Sequence, residues 1–276
     1  MVDLIKLLGS GWALAALVML TLWLVQRRTQ NAGVVDVGWA AITGGLAVWY
    51  GVVGDGELTR RLLLAGLGAV WGGRLAWYLL RDRVWGQPEE GRYVTLRQKW
   101  SPHTDRAFFF FFQFQALAAV VLSLPFALAA VATRIFPGAS DLVALALVTM
   151  GVVGETTADR QLAAFKHDPG SRGRTCRKGL WKYSRHPNYF FEWVLWCGFG
   201  CLGFAGPWGW LGFLAPLVIL LTILFVTGIP PTEAQALASR GEDYRHYQRT
   251  TSPFVPWPPR RDTEVEPQGE SNTGEE

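Results

Sequence analysis

Apolar residues in this chain come in long blocks rather than in alternation with polar ones. Seven blocks approach the roughly 20 residues a helix needs to cross the hydrocarbon layer of a bilayer. They run from Leu4 to Val25, Val34 to Val53, Leu62 to Leu80, Phe108 to Ala132, Leu142 to Glu155, Tyr189 to Ala205 and Trp208 to Gly228. The pattern predicts an all-α, polytopic integral membrane protein of about seven transmembrane helices. The fifth block is short, so its helix is expected to begin earlier or to tilt. Only Gly206 and Pro207 separate the last two blocks, which predicts a tight helical hairpin. Gln26-Arg27-Arg28, not a small-residue cleavage site, follows the first block, so it reads as a retained membrane helix.

The placement of Lys and Arg sets the expected orientation, because cytoplasmic loops are enriched in both. With the N-terminus outside, the inner segments hold twenty-one of them and the outer segments four: Lys6, Arg60, Arg61 and Arg134. Arg74 lies inside the third block. The expectation is N-out, C-in, with the working surface facing the cytoplasm. Two long inner loops, about Arg81 to Ala107 and Thr157 to Asn188, are too polar to span. Residues 1–257 are expected to form one transmembrane domain, and 258–276, rich in Pro, Gly and Glu, to form a disordered acidic tail.

Composition narrows the function classes. Half of the 276 residues are apolar and 17% are charged, against about 25% charged in soluble domains. Fourteen Trp and sixteen Phe suit interfacial anchoring. A net charge of +4 gives no case for a nucleic-acid partner. Cys176, Cys197 and Cys201 form no CxxC or Cys/His pattern, so no metal site is expected. No GxGxxG follows a strand, and there is no P-loop or HExxH.

Ionisable residues inside apolar blocks are costly and point to function. Asp36, Arg74, Glu155, Asp159 and Glu192 all fall near the inner ends of blocks, which suggests one shared polar cavity. Arg74, Tyr78 and Arg81 are spaced i, i+4 and i+7, one helical face; Arg81 equally suits snorkelling to headgroups. The densest segment is GLWKYSRHPNYFFEW, Gly179 to Trp193. Pro187 is placed to open a helix, with Asn188 and Glu192 one turn apart on it. Arg185 and His186 before it, with Arg172, Arg174, Arg177 and Lys178 upstream, suit an anion or lipid phosphates. Tyr244 and Tyr247 suit either a stacking platform for a planar ligand or one side of an interfacial helix.

GLWKYSRHPNYFFEW resembles the C-terminal signature of the steroid 5-alpha-reductase family, most closely its bacterial reductase-like branch. NAGVVDVGWA at Asn31 to Ala40, GGRLAWYLLR at Gly72 to Arg81, DRQLAAFK at Asp159 to Lys166 and YRHYQRTTSPFVPWPP at Tyr244 to Pro259 agree. The resemblance implies NADPH-dependent reduction of a carbon–carbon double bond conjugated to a carbonyl in a steroid-like or other lipid. It implies a lipid-binding half, residues 1–133, and a cofactor half, residues 134–257. Cofactor contacts are expected from Arg81, Asp159, Lys166, Arg174, Arg185, His186, Asn188, Glu192, Tyr244 and Tyr247. Tyr78 is expected to hold the substrate carbonyl with Asp36 as its acidic partner, and Arg74 and Trp39 to line the substrate cavity. The resemblance to the bacterial branch implies a bacterial inner membrane, and a monomer bound to membrane lipids is expected. The sequence departs from the family at Phe191, where Gly is expected, and at Pro230-Pro231-Thr232-Glu233, where the run is expected to be more apolar. The RHP-x-Y core also resembles isoprenylcysteine-type methyltransferases, which leaves S-adenosylmethionine as the alternative cofactor. A non-enzymatic lipid-binding protein is a third reading.

Overall fold

A computed structural model describes residues 3–260. The acidic tail expected from 258 onward lies almost wholly outside the described residues. Among those residues every regular element is helical, and the one β-bridge joins Ser184 to Ser252. The helices are α1 (Leu4–Thr29), α2 (Val34–Val53), α3 (Leu58–Leu79), α4 (Gly91–Lys99), α5 (Thr104–Leu122), α6 (Leu124–Ala130), α7 (Ala139–His167), α8 (Pro187–Gly203), α9 (Leu214–Phe225), α10 (Ile229–Arg240) and α11 (Glu242–Thr250). Among the described residues six helical runs are long and apolar enough to cross a membrane: α1, α2, α3 with the turn after it, α5, α7, and the run from Gly209 to Arg240. The 17 residues of α8 sit at the lower limit of about 17 for a crossing helix. The chain is therefore an all-helical polytopic membrane protein.

Three blocks fold differently from expectation. The third does not stop at Leu80: a π-helical turn covers Leu80–Val84 and closes with Trp85 N–H donating to the Leu80 carbonyl at 2.7 Å. That turn takes Arg81 off the α-helical register that would align it with Arg74 and Tyr78. The fourth block divides at Ser123, where Pro125 in the first turn of α6 has no N–H to continue the α5 ladder. The fifth begins earlier, as expected, at Ala139, but it also runs on through the polar segment to His167. Lys166, expected on a loop, is thus on a helix, and so is Asp159, expected near the inner end of this block.

The structure divides into two compact units. One comprises Met1–Val152 with Trp193–Leu220, the other Val153–Glu192 with Leu221–Glu276. The chain changes unit at these points. Asp36 and Arg74 belong to the first unit, and Glu155, Asp159 and Glu192 to the second.

In the first unit α2 and α3 approach closely through small residues. A Cβ on Gly72 would lie 2.7 Å from the Gly44 Cα, and one on Gly44 would lie 2.6 Å from the Gly68 carbonyl oxygen. Gly68 and Gly72 are four apart, so both fall on the α3 face that meets α2, as in other small-residue membrane seams. Trp71, beside that seam, sits edge-on to Trp39 at 6.3 Å and to Trp196 at 5.2 Å. Phe126 stacks on Trp196 at 5.9 Å. At the other end of α3, Arg60 is buried and bidentate with Asp141 at 2.7 and 2.8 Å. Its remaining N–H groups reach the carbonyls of Ala132, Arg134 and Ile135. A buried charge of this kind is tolerable only with its hydrogen bonds filled.

In the second unit the end of α7 packs on the following loop. Trp181 Nε1 donates to the Ala158 carbonyl at 2.9 Å, and Gln161 Oε1 accepts from the Leu180 N–H at 2.9 Å. The turn at Gly241, φ +52°, folds α11 back on α10, where Ala236, Tyr244 and Tyr247 form a small core.

Candidate functional site

The first unit carries a polar cluster where α2 begins and α4 follows α3. Asp36 Oδ1 accepts from the Tyr93 hydroxyl at 2.9 Å, and Asp36 Oδ2 accepts from Arg92. Arg92 also donates to Glu90 at 2.9 Å, and Arg83 lies 3.3 Å from the same carboxylate. Beside it, Glu89 accepts from Arg97 at 2.8 Å and from the Ala32 N–H at 2.8 Å. Burial works against the Glu89 charge, but those bonds outweigh it and hold its carboxyl below the ordinary range. Burial, reinforced by the neighbouring Asp36 charge, pushes the Tyr93 phenol far above its ordinary value. Tyr93 therefore stays a hydrogen-bond donor at any working pH.

This corrects the expected pairing. The tyrosine on the Asp36 carboxylate is Tyr93, from the short polar helix α4, and not Tyr78. Both carboxylate oxygens are occupied by Tyr93 and Arg92. Tyr78 lies in the last turns of α3 with 44% of its surface exposed. Arg81 is exposed in the π turn, Arg74 is half-buried, and Trp39 packs on Trp71.

In the second unit Pro187 opens α8, as its sequence position predicted, and places Asn188 and Glu192 one turn apart. Asn188 Nδ2 donates to Asp159 Oδ1 at 3.3 Å, which brings two of the expected cofactor residues together. Phe191, standing where the resemblance expects Gly, has its space supplied by Gly154 on α7. A Cβ at Gly154 would lie 2.2 Å from the Phe191 ring. Glycine at 154 leaves room for the Phe191 ring between α7 and α8.

Arg185 and His186 do not form an open anion site. Glu233 Oε1 accepts from Arg185 Nε at 2.7 Å and lies 3.2 Å from His186 Nε2, while Glu233 Oε2 accepts from Gln248 at 2.7 Å. Arg185 Nη1 donates to the Gln248 and Thr251 carbonyls at 2.8 and 2.9 Å. Both side chains bind the loop before α8 to α10 and α11. The expected stacking platform is likewise closed. Tyr244 and Tyr247 are 3% and 2% exposed. The Tyr247 hydroxyl donates to the Trp181 and Ser184 carbonyls, and Tyr244 bonds Glu233. Burial pushes both phenols well above their ordinary values. Glu233 is thus the centre of the second unit, although its sequence signal was only a departure from the expected apolar run.

Four cations remain around a recess of about 190 Å³: Lys166 at the end of α7, Arg172 and Arg174 on the loop after it, and Arg240 at the end of α10. Ser171 and Cys176 complete its polar lining, and among the described residues no acidic side chain contributes. Lys166, Arg172 and Arg174 make no ion pair among the described residues. Their charge is free for an anion. Nearby Arg177, by contrast, is taken by Asp243 at 2.8 Å. No group of three or more His, Cys, Asp or Glu suited to a metal occurs among the described residues.

Fold and site together define an all-helical membrane protein with a basic recess in its polar unit. The chain belongs to the family described as "Protein of unknown function (DUF1295)", which matches residues 22–251. A curated relative, the uncharacterized protein C594.04c of Schizosaccharomyces pombe, is 30% identical over 209 residues, covering 66% of this chain and 60% of that protein. The chain thus spans less than two thirds of that relative's length. No solved structure matches.

Proposed function

We propose that this protein is an NADPH-dependent membrane reductase of a carbon–carbon double bond conjugated to a carbonyl in a steroid-like or other lipid. The observation that carries the reading is the Lys166–Arg172–Arg174–Arg240 recess. Several cations with no acid among the described residues of the lining suit a phosphate group of a dinucleotide, and S-adenosylmethionine carries no phosphate to use them. The residues present therefore fit the cofactor that the sequence resemblance implies.

Lys166, Arg172 and Arg174 bind the phosphates. Asp159 and Asn188, already bonded to each other, and Glu192 position the polar groups of the nicotinamide end. When bound, the reduced nicotinamide supplies the hydride that is added to the β-carbon of the enone. Tyr78 donates a hydrogen bond to the substrate carbonyl oxygen and so stabilises the enolate that develops as the β-carbon is reduced. Water then delivers the proton to the α-carbon. Asp36 acts by holding Tyr93 and Arg92, not by acidifying Tyr78. Arg185, His186, Tyr244 and Tyr247 act indirectly, by fixing the loop between α7 and α8.

In this reading the recess faces the cytoplasm of a bacterial cell, N-out and C-in, and the monomer is the working unit. The resemblance supports an affiliation with the bacterial reductase-like branch. The test is cofactor-dependent reduction of enone lipids by the purified protein. Turnover that is lost in Arg174→Ala and Lys166→Ala supports the proposal. Binding of S-adenosylmethionine alone replaces it with a methyltransferase.

A further inference from the structure

Within the first unit α1 and α5 run antiparallel and meet along one seam. Gln113 Nε2 donates to the Ala16 carbonyl at 3.3 Å, the Trp23 and Phe109 rings meet edge-on at 5.3 Å, and Arg27 Nε donates to Asp105 Oδ2 at 2.9 Å. Positions rise on α1 as they fall on α5, which fixes the direction. Each helix turns by about 100° per residue. In an antiparallel pair of the same hand, the residue after each seam position therefore turns to the same side of the pair. One side carries Met19, Gln26, Phe108 and Phe112, and all four are buried. The other carries Leu17, Leu24 and Arg28 from α1, and Arg106, Phe110 and Leu117 from α5. Its four apolar residues are 48–61% exposed, and both arginines are exposed. The outward side of the seam is thus an apolar groove with two cations at the end where α1 finishes and α5 begins.

Neither Arg28 nor Arg106 makes an ion pair among the described residues. The nearby Asp105 carboxylate lies in the seam, on Arg27. The Arg106 guanidinium sits over the Phe110 ring, 5.9 Å from its centre. It therefore stays beside the first apolar turn of the groove instead of reaching away from the bundle. Leu17 and Leu117 each lie eleven positions from the arginine of their own helix. At 1.5 Å per residue that is about 16 Å, roughly half of the 30 Å hydrocarbon layer. The groove below the cations therefore has the depth of one leaflet. A soluble anion would use the arginines and leave the apolar rows bare. An anion carried on an acyl chain uses both.

We propose that the α1–α5 groove binds one anionic phospholipid, with Arg28 and Arg106 on its headgroup phosphate and an acyl chain along Leu24, Leu17, Phe110 and Leu117. Two cations favour a headgroup of net negative charge over a zwitterion, which brings a cation of its own. The site does not depend on the reductase reading, because its occupancy is measured without turnover.

The experiment titrates phosphatidylglycerol, phosphatidylcholine and glycerol 3-phosphate separately into the purified full chain in mild detergent. Native mass spectrometry reads the bound population. The expected result is tightest binding of a first phosphatidylglycerol, with half-saturation weakened on the order of thirtyfold in Arg28→Ala/Arg106→Ala, at about fivefold per basic residue. Arg28→Lys/Arg106→Lys keeps most of the affinity. Lys178→Ala/Lys182→Ala, which removes the same charge elsewhere, keeps all of it. Equal binding by wild type and the Arg28→Ala/Arg106→Ala protein overturns the proposal. So does equal weakening in Lys178→Ala/Lys182→Ala, which would mean that total charge and not this groove attracts the lipid. Phosphatidylcholine bound as tightly as phosphatidylglycerol would remove the role of the two cations, and glycerol 3-phosphate bound as tightly would remove the role of the apolar rows; either contradicts the assignment.

Discussion

Tyr93 donates its phenolic hydrogen to Asp36 across 57 residues of sequence, at 2.9 Å. The bond ties the polar helix α4 to the start of α2, and Tyr93 is 2% exposed. A phenol so placed has an architectural role, which separates it from the exposed Tyr78. Tyr93→Phe strands one Asp36 oxygen and is expected to lower stability by about 1–3 kcal/mol. Tyr78→Phe is expected to reduce enone turnover by roughly 10²–10³-fold. Parallel thermal unfolding and turnover assays distinguish the two. Full turnover in Tyr78→Phe removes that residue from the reaction.

The buried Arg60–Asp141 pair predicts a larger stability effect. Removing one partner leaves the other charged and enclosed, so Asp141→Asn and Arg60→Ala should each cost about 3–5 kcal/mol. Detergent-resistance and unfolding measurements check this. A cost near zero would mean that the carbonyls of Ala132, Arg134 and Ile135 alone satisfy the arginine.

Phe191 and Gly154 make a coupled pair. Gly154→Ala should destabilise by about 1–3 kcal/mol through overpacking against the ring. Combining it with Phe191→Ala should recover part of that loss, giving a non-additive double-mutant cycle. Strict additivity would show that the ring has other room.

Asp243 predicts the acid limb of stability. Burial disfavours its charge, but the Thr175 hydrogen bond and the Arg177 guanidinium outweigh burial and hold its carboxyl below its ordinary value of 3.8. The folded pKa is lower than the unfolded one. The stabilisation is therefore complete above pH 3.8 and is lost as pH falls through the folded value. Unfolding temperature measured down through this window should fall in wild type, and fall less in Asp243→Asn. Identical acid profiles would assign the bond no differential proton binding.

Long apolar runs made the membrane class legible, because a crossing helix has to be uniformly apolar whatever its neighbours are. Boundaries were less so. Hydropathy does not register that Pro125 interrupts a continuous apolar run, or that α7 remains helical after its residues become polar at Thr157. Pro187 was readable as a helix start because its fixed φ and missing N–H have a purely local effect. The partners of Asp36, Arg185 and His186 were not readable, since Tyr93 and Glu233 reach them from 57, 48 and 47 residues away. A charge count shows which side the cations occupy. It cannot show that Arg185 is neutralised by Glu233 while Lys166, Arg172 and Arg174 make no ion pair among the described residues.

Cofactor binding to the purified full chain tests the central proposal most directly. NADPH, NADH and S-adenosylmethionine are compared by thermal shift, where stabilisation follows RT ln(1 + [L]/Kd) for a ligand that binds the native state. The account predicts a shift with NADPH that is lost in Lys166→Ala/Arg174→Ala. A shift with S-adenosylmethionine alone, or an NADPH shift indifferent to Lys166 and Arg174, would contradict it.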